Sequence, residues 1–407
     1  MCREKRKVYL IGIGMGAVEE MTMEAVTYLR ESDCVIGAKR MIQSAMRLGF
    51  EKTVFESYQP REIKQFLKEH KSFQSVSIVL SGDSGFYSGA KSLTEELKDD
   101  FQIIQVPGIC AIAALAAKLG TSWEDAKLVS IHGRNQNFIS AVVHHQKVFL
   151  LLGNEKNGKE LCDKLVYYGL GDVKVTVGSN LSCENEQIVS KRADELTPQD
   201  VSGLSVAMIV NPHPQVQICR HIADEELIRG NVPMTKEEVR ILSIAKLELT
   251  ERAVLYDVGA GTGSVGIEAA LQNASIQIYA VEKNPEGVEL IRKNAQKFQT
   301  DQIQIVEGKA PEVLEDLEPP THVFIGGSSG NLKEIIACVR RKNAKVHIVI
   351  NAISLETLNE VLEAEKQQII GKLQITQVMV SRAKKAGQYH MMHGQNPIYI
   401  ISQKEEV

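Results

Sequence analysis

The sequence contains no paired-cysteine motif. Its seven cysteines stand singly along the 407-residue chain, with no C-x-x-C pair and no cysteine–histidine cluster. Without such spacing, neither a zinc site nor a disulfide framework is expected. The odd number of cysteines fits a reducing compartment. We therefore expect a cytoplasmic protein without a metal centre.

Long apolar runs are also missing. The basic start of the chain is followed by an apolar run over residues 8–13 only. This run is too short for the core of a signal peptide and predicts a first β-strand. No stretch approaches the length that spans a bilayer. The net charge of −4 gives no reason to expect nucleic acid as a partner. A small molecule is therefore the expected partner, and neither nucleic acid nor a membrane is.

The chain is too long for one ordinary hydrophobic core. With 407 residues, of which 43% are apolar and 24% charged, it has the composition of a globular protein of two domains. Residues 211–214, Asn-Pro-His-Pro, follow a predicted strand and end it, because proline cannot donate a ladder hydrogen bond. We therefore predict one domain over residues 1–213 and another over residues 222–407.

A strand followed by a glycine loop dominates the second half. Residues 254–258 form a short apolar run typical of a buried parallel strand, with Asp257 near its end. Gly259, Gly261 and Gly263 then alternate before a predicted helix. Glycine permits positive φ and lets backbone N–H groups approach a ligand at the helix N-terminus. The pattern predicts a cofactor-binding loop.

Glycine spacing alone leaves two cofactors open. Gly261, Gly263 and Gly266 match the dinucleotide fingerprint, and Glu282 lies about twenty residues further on, where a ribose ligand is expected. However, the aspartate before the loop, this glutamate and a later loop at residues 307–311 form an ordered set that resembles class I S-adenosylmethionine methyltransferases. The resemblance implies that the glycine loop holds the methionine end, the glutamate the ribose and the later loop the adenine.

The first half also predicts an α/β domain, because predicted strands alternate with helices and glycine loops follow the strands. Four segments in this order resemble the tetrapyrrole methylase family: residues 12–16, 82–85, 107–108 and 130–134. Within that family, Gly-Ala-Lys-Arg at residues 37–40 and His-Gly-Arg at residues 132–134 are similar to the branch that methylates precorrin-6B or precorrin-7. The resemblance spans residues 8–212.

This resemblance implies two adjoining ligand sites in the first domain. The residues expected to hold S-adenosylmethionine are Gly82, Asp83, Ser84, Gly108 and Ala111. The residues expected to hold the tetrapyrrole are Gly14, Lys39, Arg40, His132 and Arg134, of which Lys39, Arg40 and Arg134 are predicted to stand in loops just after apolar strands. Precorrins carry several carboxylates, and arginine is suited to bidentate carboxylate binding. The alternative is that these cations are solvated surface charges and that the histidine only braces its loop.

Residues 224–401 resemble the decarboxylating precorrin methyltransferases. The segments that carry the resemblance are residues 233–240, 324–330 and 351–357. A closing pair of strands, at residues 373–380 and 397–401, fits this fold better than a dehydrogenase. The implied active-site residues are Gly326, Gly327 and Asn351, although the glycines could form only a flexible loop and the asparagine could only brace a helix. Arg382, Lys384 and Lys385 either meet substrate carboxylates or form a solvated turn.

Thr235 has two predicted roles. Together with Glu238 it forms a capping box, which predicts a helix from Lys236. The resemblance to the decarboxylating family also implies that it lies against the cofactor. The predicted cofactor-binding residues of the second domain are Thr235, Asp257, Gly259, Ala260, Gly261, Thr262, Gly263, Glu282 and Ala310.

The expected fold is α/β, with an N-terminal two-lobed tetrapyrrole methylase domain followed by a C-terminal Rossmann-like class I methyltransferase domain. The resemblances imply a bifunctional enzyme of cobalamin biosynthesis with one S-adenosylmethionine site per domain. The first domain would methylate carbon 5, and the second would methylate carbon 15 and decarboxylate the ring C acetate. Holding the nucleophilic carbon in line with the methyl group can supply roughly 7–11 kcal/mol, so no general base is required.

Several alternatives stay open at this point. The macrocycle can carry cobalt or be free of metal. A nucleotide-dependent oxidoreductase fused to a small-molecule-binding domain also fits the glycine loop. In a third reading, one half is a scaffold that only binds substrate. Since both families commonly assemble, we expect a homo-oligomer.

Overall fold

The computed structural model describes residues 5–131, 137–153, 155–201, 203–215 and 221–403. The chain divides into two compact units. The first consists of Met1–Phe138 and His145–Pro214, and the second of Ile139–His144 and Gln215–Val407. Both units are α/β, so the predicted fold class is confirmed.

The first unit begins with a fully parallel sheet. Its strands, in the spatial order β3-β2-β4-β1-β5, are β1 (Lys7–Gly12), β2 (Cys34–Gly37), β3 (Thr53–Glu56), β4 (Ser75–Leu80) and β5 (Gln102–Val106). Its helices are α1 (Met23–Glu31), α2 (Lys39–Met46), α3 (Pro60–Glu69), α4 (Ala90–Leu97) and α5 (Ala111–Lys118). In β1, Leu10 packs into the core shared with α3 and α4, whereas Ile11 packs into the core shared with α1 and α2. Burial on both faces explains the continuous apolar run.

A second, mixed sheet completes this unit. Its strands, in the order β6-β7-β10-β8-β9, are β6 (Lys127–Ser130), β7 (Lys147–Leu152), β8 (Lys174–Ser179), β9 (Gln187–Arg192) and β10 (Ser205–Val210). Only β6 and β7 pair in parallel. The helices in this part of the chain are α6 (Ile139–His144), which is grouped with the second unit, and α7 (Glu155–Tyr167). The two sheets are the two lobes that the sequence predicts for the first domain.

The second unit is built on a seven-stranded sheet in the order β13-β12-β11-β14-β15-β19-β16. Its strands are β11 (Val254–Val258), β12 (Gln277–Glu282), β13 (Ile303–Glu307), β14 (His322–Ile325), β15 (His347–Ala352), β16 (Leu373–Val378) and β19 (Ile398–Gln403). Its helices are α8 (Glu237–Leu247), α9 (Ser264–Gln272), α10 (Pro285–Lys297), α11 (Leu332–Lys342) and α12 (Leu355–Lys366). The strand order reverses between β11 and β14, and ligands of open α/β sheets bind at such a point.

Both predicted closing strands are present, but they are not joined by a simple turn. β16 and β19 pair antiparallel, and β19 lies between β15 and β16. Between them the chain forms a separate hairpin, β17 (Ser381–Ala386) and β18 (Tyr389–Gly394), which the sequence analysis does not predict. Every residue of β18 is exposed, so no alternation of apolar and polar residues is needed there.

Two local predictions are wrong. Helix α8 begins at Glu237 with Lys236 as N-cap and without a side-chain cap, so Thr235 does not form the capping box. Instead, Asp224 Oδ1 accepts a hydrogen bond from the Glu237 N–H at 3.0 Å. Lys39 and Arg40 lie in the first turn of α2 rather than in a loop. Thr22 is the N-cap of α1, and its hydroxyl accepts a hydrogen bond from the Ala25 N–H.

Three features that bear on function are absent from the part of the chain that the structure describes. No helix there combines the length and the apolar character needed to cross a bilayer. No group of three or more histidine, cysteine, aspartate or glutamate side chains there is arranged to hold a metal ion. None of the cysteines at positions 34, 110, 162, 183 and 338 forms a disulfide bond.

The first prediction concerns His322, at the start of β14. Burial, and secondarily His347, lowers the pKa of the His322 imidazole to about 4. Because the unfolded chain then binds more protons below pH 6.5, we expect this group to reduce the unfolding free energy by about 2 kcal/mol between pH 8 and pH 5. His322→Gln should remove that part of the pH dependence in urea denaturation. The exposed His390→Gln is the control, and an equal pH dependence in both variants would contradict the assignment.

Candidate active sites

In the second unit, glycine backbones of two loops lie against each other at the point where the strand order of the sheet reverses. Gly259 follows β11 with φ of 73°, and a Cβ atom there would lie 2.6 Å from the Gly327 carbonyl oxygen. A Cβ atom at Gly261 would lie 2.5 Å from the Pro233 carbonyl oxygen. Real Cβ atoms do not make such contacts, so both positions require glycine. The loops after β11 and β14 therefore form one edge of a single site.

Two acids brace the glycine loop. Glu282 accepts a 2.8 Å hydrogen bond from the Gly261 N–H and another of 2.8 Å from the Asn284 N–H. Asp257 accepts from the Gly266 N–H at 2.9 Å through one oxygen, and its other oxygen, Oδ1, is buried without a partner among the described residues. Burial raises the pKa of the Asp257 carboxyl to about 7, the Gly266 N–H opposes that rise, and the charge of Glu282 adds to it. An unpaired buried carboxylate oxygen beside a glycine loop is suited to a cationic or N–H-bearing ligand.

The other predicted cofactor residues of this unit lie around the same loop. Ala260, Thr262 and Ala310 are buried, and the Thr262 hydroxyl has no partner among the described residues. Asn294 donates 3.0 Å hydrogen bonds from its amide nitrogen to the carbonyls of Thr262 and Ile228. The segment before α8 is thus tied directly to the glycine loop. This tie is not visible in the sequence, because the partners are 32 and 66 residues apart.

The predicted active-site residues line a small cavity of about 160 Å³ next to the glycine loop. Gly326, Gly327 and Asn351 all contribute to its wall. The Asn351 side-chain amide lies 3.1 Å from the Ser243 hydroxyl, and that hydroxyl donates its hydrogen to the Val239 carbonyl at 2.7 Å. Asn351 lies within β15, shortly before α12, and its orientation is fixed by the sheet and by Ser243 of α8. A side-chain amide held in this way is suited to orienting a polar ligand.

A buried ion-pair network lies beneath this site, and sequence reasoning did not identify it. Arg240 is fully buried and pairs with Glu268 through Nε–Oε2 at 2.5 Å and with Asp224 through Nη1–Oδ1 at 3.3 Å. Its guanidinium also donates to the carbonyls of Thr235 and Ile222. From the sequence alone, an arginine in a helix such as α8 is expected to lie on the surface. Its burial depends on acids supplied by distant segments.

The three cations of the hairpin have different surroundings. Arg382 forms a bidentate pair with Glu238, at 2.7 and 2.8 Å, and approaches Glu237 at 3.2 Å. This pair holds the pKa of the Glu238 carboxyl below its ordinary value. Arg382 is therefore neither a solvated turn residue nor an unpaired cation, whereas Lys384 and Lys385 are exposed.

Three loops of the first unit meet through their backbones. A Cβ atom at Gly12 would lie 2.6 Å from the Gly82 carbonyl oxygen and 2.9 Å from the Gly108 nitrogen. Gly14 and Gly82 exchange two backbone hydrogen bonds, of 2.8 and 3.2 Å. Asp83 accepts from the Gly108 N–H at 3.0 Å and from a second N–H of its own loop. The carboxyl ends of β1, β4 and β5 therefore form one surface of packed main chain.

These loops open onto a cavity of about 870 Å³ within the first unit. Its wall includes the predicted cofactor residues Gly82, Asp83, Ser84 and Ala111, and also residues of the second sheet. Gly108 lies behind this wall, against Gly12. The volume lies within the usual range of small-molecule pockets, and both sheets supply its lining.

Only part of the predicted tetrapyrrole set can be placed. Arg40 lines the cavity and donates at 3.3 Å to the Met15 carbonyl and to the Ser81 hydroxyl. Desolvation by the surrounding protein atoms lowers the pKa of the Arg40 guanidinium below its ordinary value. Lys39 is exposed one residue earlier. His132 and Arg134 lie outside the described residues.

Two family models match the chain. The model of the precorrin methyltransferase domain matches residues 227–404. The model of the tetrapyrrole (corrin/porphyrin) methylases matches residues 7–197. The two matches do not overlap, and together they cover both sites described above.

The relatives match different shares of the chain. The cobalt-precorrin-6B C(15)-methyltransferase (decarboxylating) of Salmonella typhimurium is 39% identical over 186 residues, which are 45% of this chain and 96% of that relative. The precorrin-6Y C(5,15)-methyltransferase (decarboxylating) of a Sinorhizobium species is 29% identical over 352 residues, which are 85% of this chain and 84% of that relative. A crystal structure of precorrin-6y C5,15-methyltransferase from Geobacter metallireducens is 37% identical, with 46% of this chain and 100% of that chain covered and a TM-score of 0.44.

The second prediction concerns the buried Asp257. Its pKa is raised in the folded state, so its contribution to stability is complete near pH 4 and is lost as the pH rises to about 7. Asp257→Asn keeps an acceptor for Gly266 and avoids burying the charge. We expect it to raise the unfolding free energy of the ligand-free protein by up to about 4 kcal/mol at pH 8 and by much less at pH 5.

Urea denaturation at both pH values, followed by circular dichroism, measures this difference. Asp316→Asn provides the matched control, because Asp316 is exposed in the same unit. A gain at Asp257 that does not change with pH would contradict the argument from burial.

Proposed function

Because the chain belongs to the precorrin methyltransferase family, we propose that it is a bifunctional enzyme of cobalamin biosynthesis. It methylates a precorrin or cobalt-precorrin at carbons 5 and 15 and decarboxylates the ring C acetate. Residues 1–213 carry the first methylation, and residues 222–407 carry the second together with the decarboxylation. The supporting observation is the extent of likeness, since the relative named for both carbons matches across 85% of this chain.

S-adenosylmethionine is the methyl donor in both units, and it supplies an electrophilic methyl group on a sulfonium. In the second unit, the unpaired Asp257 Oδ1 and the bare backbone at Gly259 and Gly261 fit a ligand that carries an ammonium group and needs close approach. Glu282 accepts two N–H groups, and a carboxylate has roughly four acceptor positions, so it retains capacity for ribose hydroxyls. Thr235, Ala260, Thr262, Gly263 and Ala310 complete this site.

In the first unit, the donor is held by Gly82, Asp83, Ser84 and Ala111, and Gly108 packs behind them against Gly12. The packed glycine backbones let the donor approach main chain closely, and Asp83 fixes two loops at once. The tetrapyrrole lies in the remaining part of the cavity, with Gly14 on one side. Lys39, Arg40, His132 and Arg134 meet its carboxylates, for which the arginine fork is suited.

The second unit positions its substrate rather than activating it by proton transfer. Gly326 and Gly327 carry no side chains beside the donor loop, so the edge of a flat macrocycle can approach there, and the Asn351 amide orients it from the end of β15. Holding a nucleophilic carbon in line with the methyl group supplies roughly 7–11 kcal/mol. On loss of carbon dioxide, the electron pair of the broken carbon–carbon bond passes into the imine-like ring of the substrate, and a proton from the medium then completes the new methyl group. The chain itself contributes geometry and exclusion of water.

The nucleotide-dependent oxidoreductase is not favoured. Its support is limited to the spacing of Gly261, Gly263 and Gly266, whereas the family models match both halves as methyltransferases. The antiparallel β19, inserted between β15 and β16, is also more typical of the methyltransferase arrangement that the sequence resembles.

The third prediction separates the two sites. Gly261→Arg places a side chain against the Pro233 carbonyl and should abolish carbon-15 methylation and carbon dioxide release while sparing carbon-5 methylation. Gly82→Arg directs a side chain toward the first-unit cavity and should do the reverse. Mass spectrometry of products from deuteromethyl-labelled donor, with metal-free and cobalt-bearing substrate, measures each step.

Gly169→Arg is the control, because Gly169 has a similar φ of 72° and nothing within 4 Å of the position of its Cβ atom. Titration calorimetry of the unmodified protein with S-adenosylhomocysteine tests the donor directly. Binding of NADH instead of S-adenosylhomocysteine would overturn the proposed function. Loss of both methylations in either single variant would overturn the independence of the sites.

We also propose that the protein is a homo-oligomer. The supporting feature is the β17–β18 hairpin, in which large apolar side chains are exposed on both faces. Tyr389 is 77% exposed, Met391 63% and Met392 68%. Exposed apolar patches of this kind mark interaction sites, and an exposed hairpin edge can pair with another copy.

The fourth prediction follows from this hairpin. Replacing Met391 and Met392 together by serine should lower the oligomeric mass measured by light scattering at micromolar concentration. The control is Met23→Ser, since Met23 is 79% exposed in the first unit. If the double variant keeps the mass of the unmodified protein, the hairpin is not the assembly surface.

A further inference from the structure

Arg382 has an unusual position for a residue of an exposed hairpin. It lies on β17, and its guanidinium points to three carboxylates that precede or begin α8. The separations are 2.7 Å to Glu238, 3.2 Å to Glu237 and 3.7 Å to Asp224. Asp224 is almost completely buried, whereas Arg382 keeps 32% of its side chain exposed. The pair therefore connects a surface element with a buried acid.

The contacts continue inward from Asp224. Its Oδ1 accepts from the Glu237 N–H at 3.0 Å and lies 3.3 Å from Nη1 of the fully buried Arg240. The same Nη1 donates to the Thr235 carbonyl at 2.8 Å. Two guanidinium groups thus share one carboxylate, and the inner one holds the backbone just before α8.

That backbone covers the glycine loop. We call residues 221–236 the entry segment. Its Pro233 carbonyl lies so close to Gly261 that only glycine fits there. In the middle of the segment, the Ile228 carbonyl is joined through the Asn294 side chain to the Thr262 carbonyl. Any displacement of the entry segment therefore changes the shape of the glycine loop.

We propose that Arg382 is a positioning residue for the methyl-donor site of the second unit, acting through Asp224 and Arg240 on the entry segment. This inference rests on the proposed function, and it assigns Arg382 neither of the two roles that its sequence context suggests. The guanidinium contacts no residue of the glycine loop itself. Its effect is to keep the entry segment closed against Gly261.

The charges explain why one arginine matters. Asp224, Glu237 and Glu238 lie together, and Arg240 is already paired with the buried Glu268. Removing Arg382 leaves this cluster with an excess of negative charge close to a buried acid, which is unfavourable. Helix α8 itself remains anchored by buried side chains, including Val239, Ile244 and Leu247. The strain is therefore relieved in the entry segment rather than by unfolding of the unit.

Arg382→Gln is the informative variant. We expect the second-unit site to bind S-adenosylhomocysteine about tenfold more weakly, which corresponds to ~1.4 kcal/mol. The KM for S-adenosylmethionine in carbon dioxide release should rise by a similar factor. The KM for the tetrapyrrole and the rate of carbon-5 methylation should not change. Arg382→Lys keeps the charge without the bidentate fork and should fall between the two.

The measurements use the full chain. Titration calorimetry in the Gly82→Arg background reports the second-unit site, and carbon dioxide release reports the same site without that background. Arg341→Gln is the matched control, because Arg341 forms an exposed ion pair with Glu315 in the same unit. Arg240→Met is less informative, since removing one partner of a fully buried pair is expected to unfold the unit.

The outcomes distinguish this inference from the proposed function. If the unmodified protein does not bind S-adenosylhomocysteine, the proposed function fails. If it binds and Arg382→Gln binds equally well, the positioning role fails and the proposed function stands. If Arg382→Gln raises only the KM for the tetrapyrrole, Arg382 is a substrate ligand and the inference is overturned.

Discussion

The close approach of bare main chain at the carboxyl ends of the strands is the constraint on which both sites depend. A Cβ atom at Gly259 would overlap the backbone of Gly327, and a Cβ atom at Gly12 would overlap the backbone of Gly82. Loops packed in this way bring main chain to the edge of each sheet. A ligand can then approach that main chain closely, with specificity supplied by the few acids and cations around it.

Other groups must hold these loops in position, and they differ between the two units. In the first, Asp83 joins two loops through one carboxylate near the cavity. In the second, support comes from a buried charge network around Arg240, which is satisfied by two acids and two carbonyls. A buried guanidinium is costly unless every donor is paired, so this network fixes one arrangement of the entry segment rather than adding much stability.

The sequence predicts the features that local patterns encode. Glycine loops after apolar strands, the N-cap at Thr22 and most strand positions follow from short-range rules. Partners distant in sequence do not follow from such rules. Arg240 looks like a surface residue until Glu268 and Asp224 are placed beside it, and Thr235 looks like a helix cap until Asp224 takes that role. The β17–β18 hairpin also gives no apolar pattern, because it has no buried face.

The floor and the cover of the second-unit site are held in different ways. Strands β11, β12 and β14 are buried at nearly every position, so the floor cannot shift without loss of core packing. The entry segment is held both by the buried side chains of Ile222 and Leu227 and by hydrogen bonds and charges. Its polar partners come from segments far away in sequence, so the cover reaches its position only when the rest of the unit has folded around it.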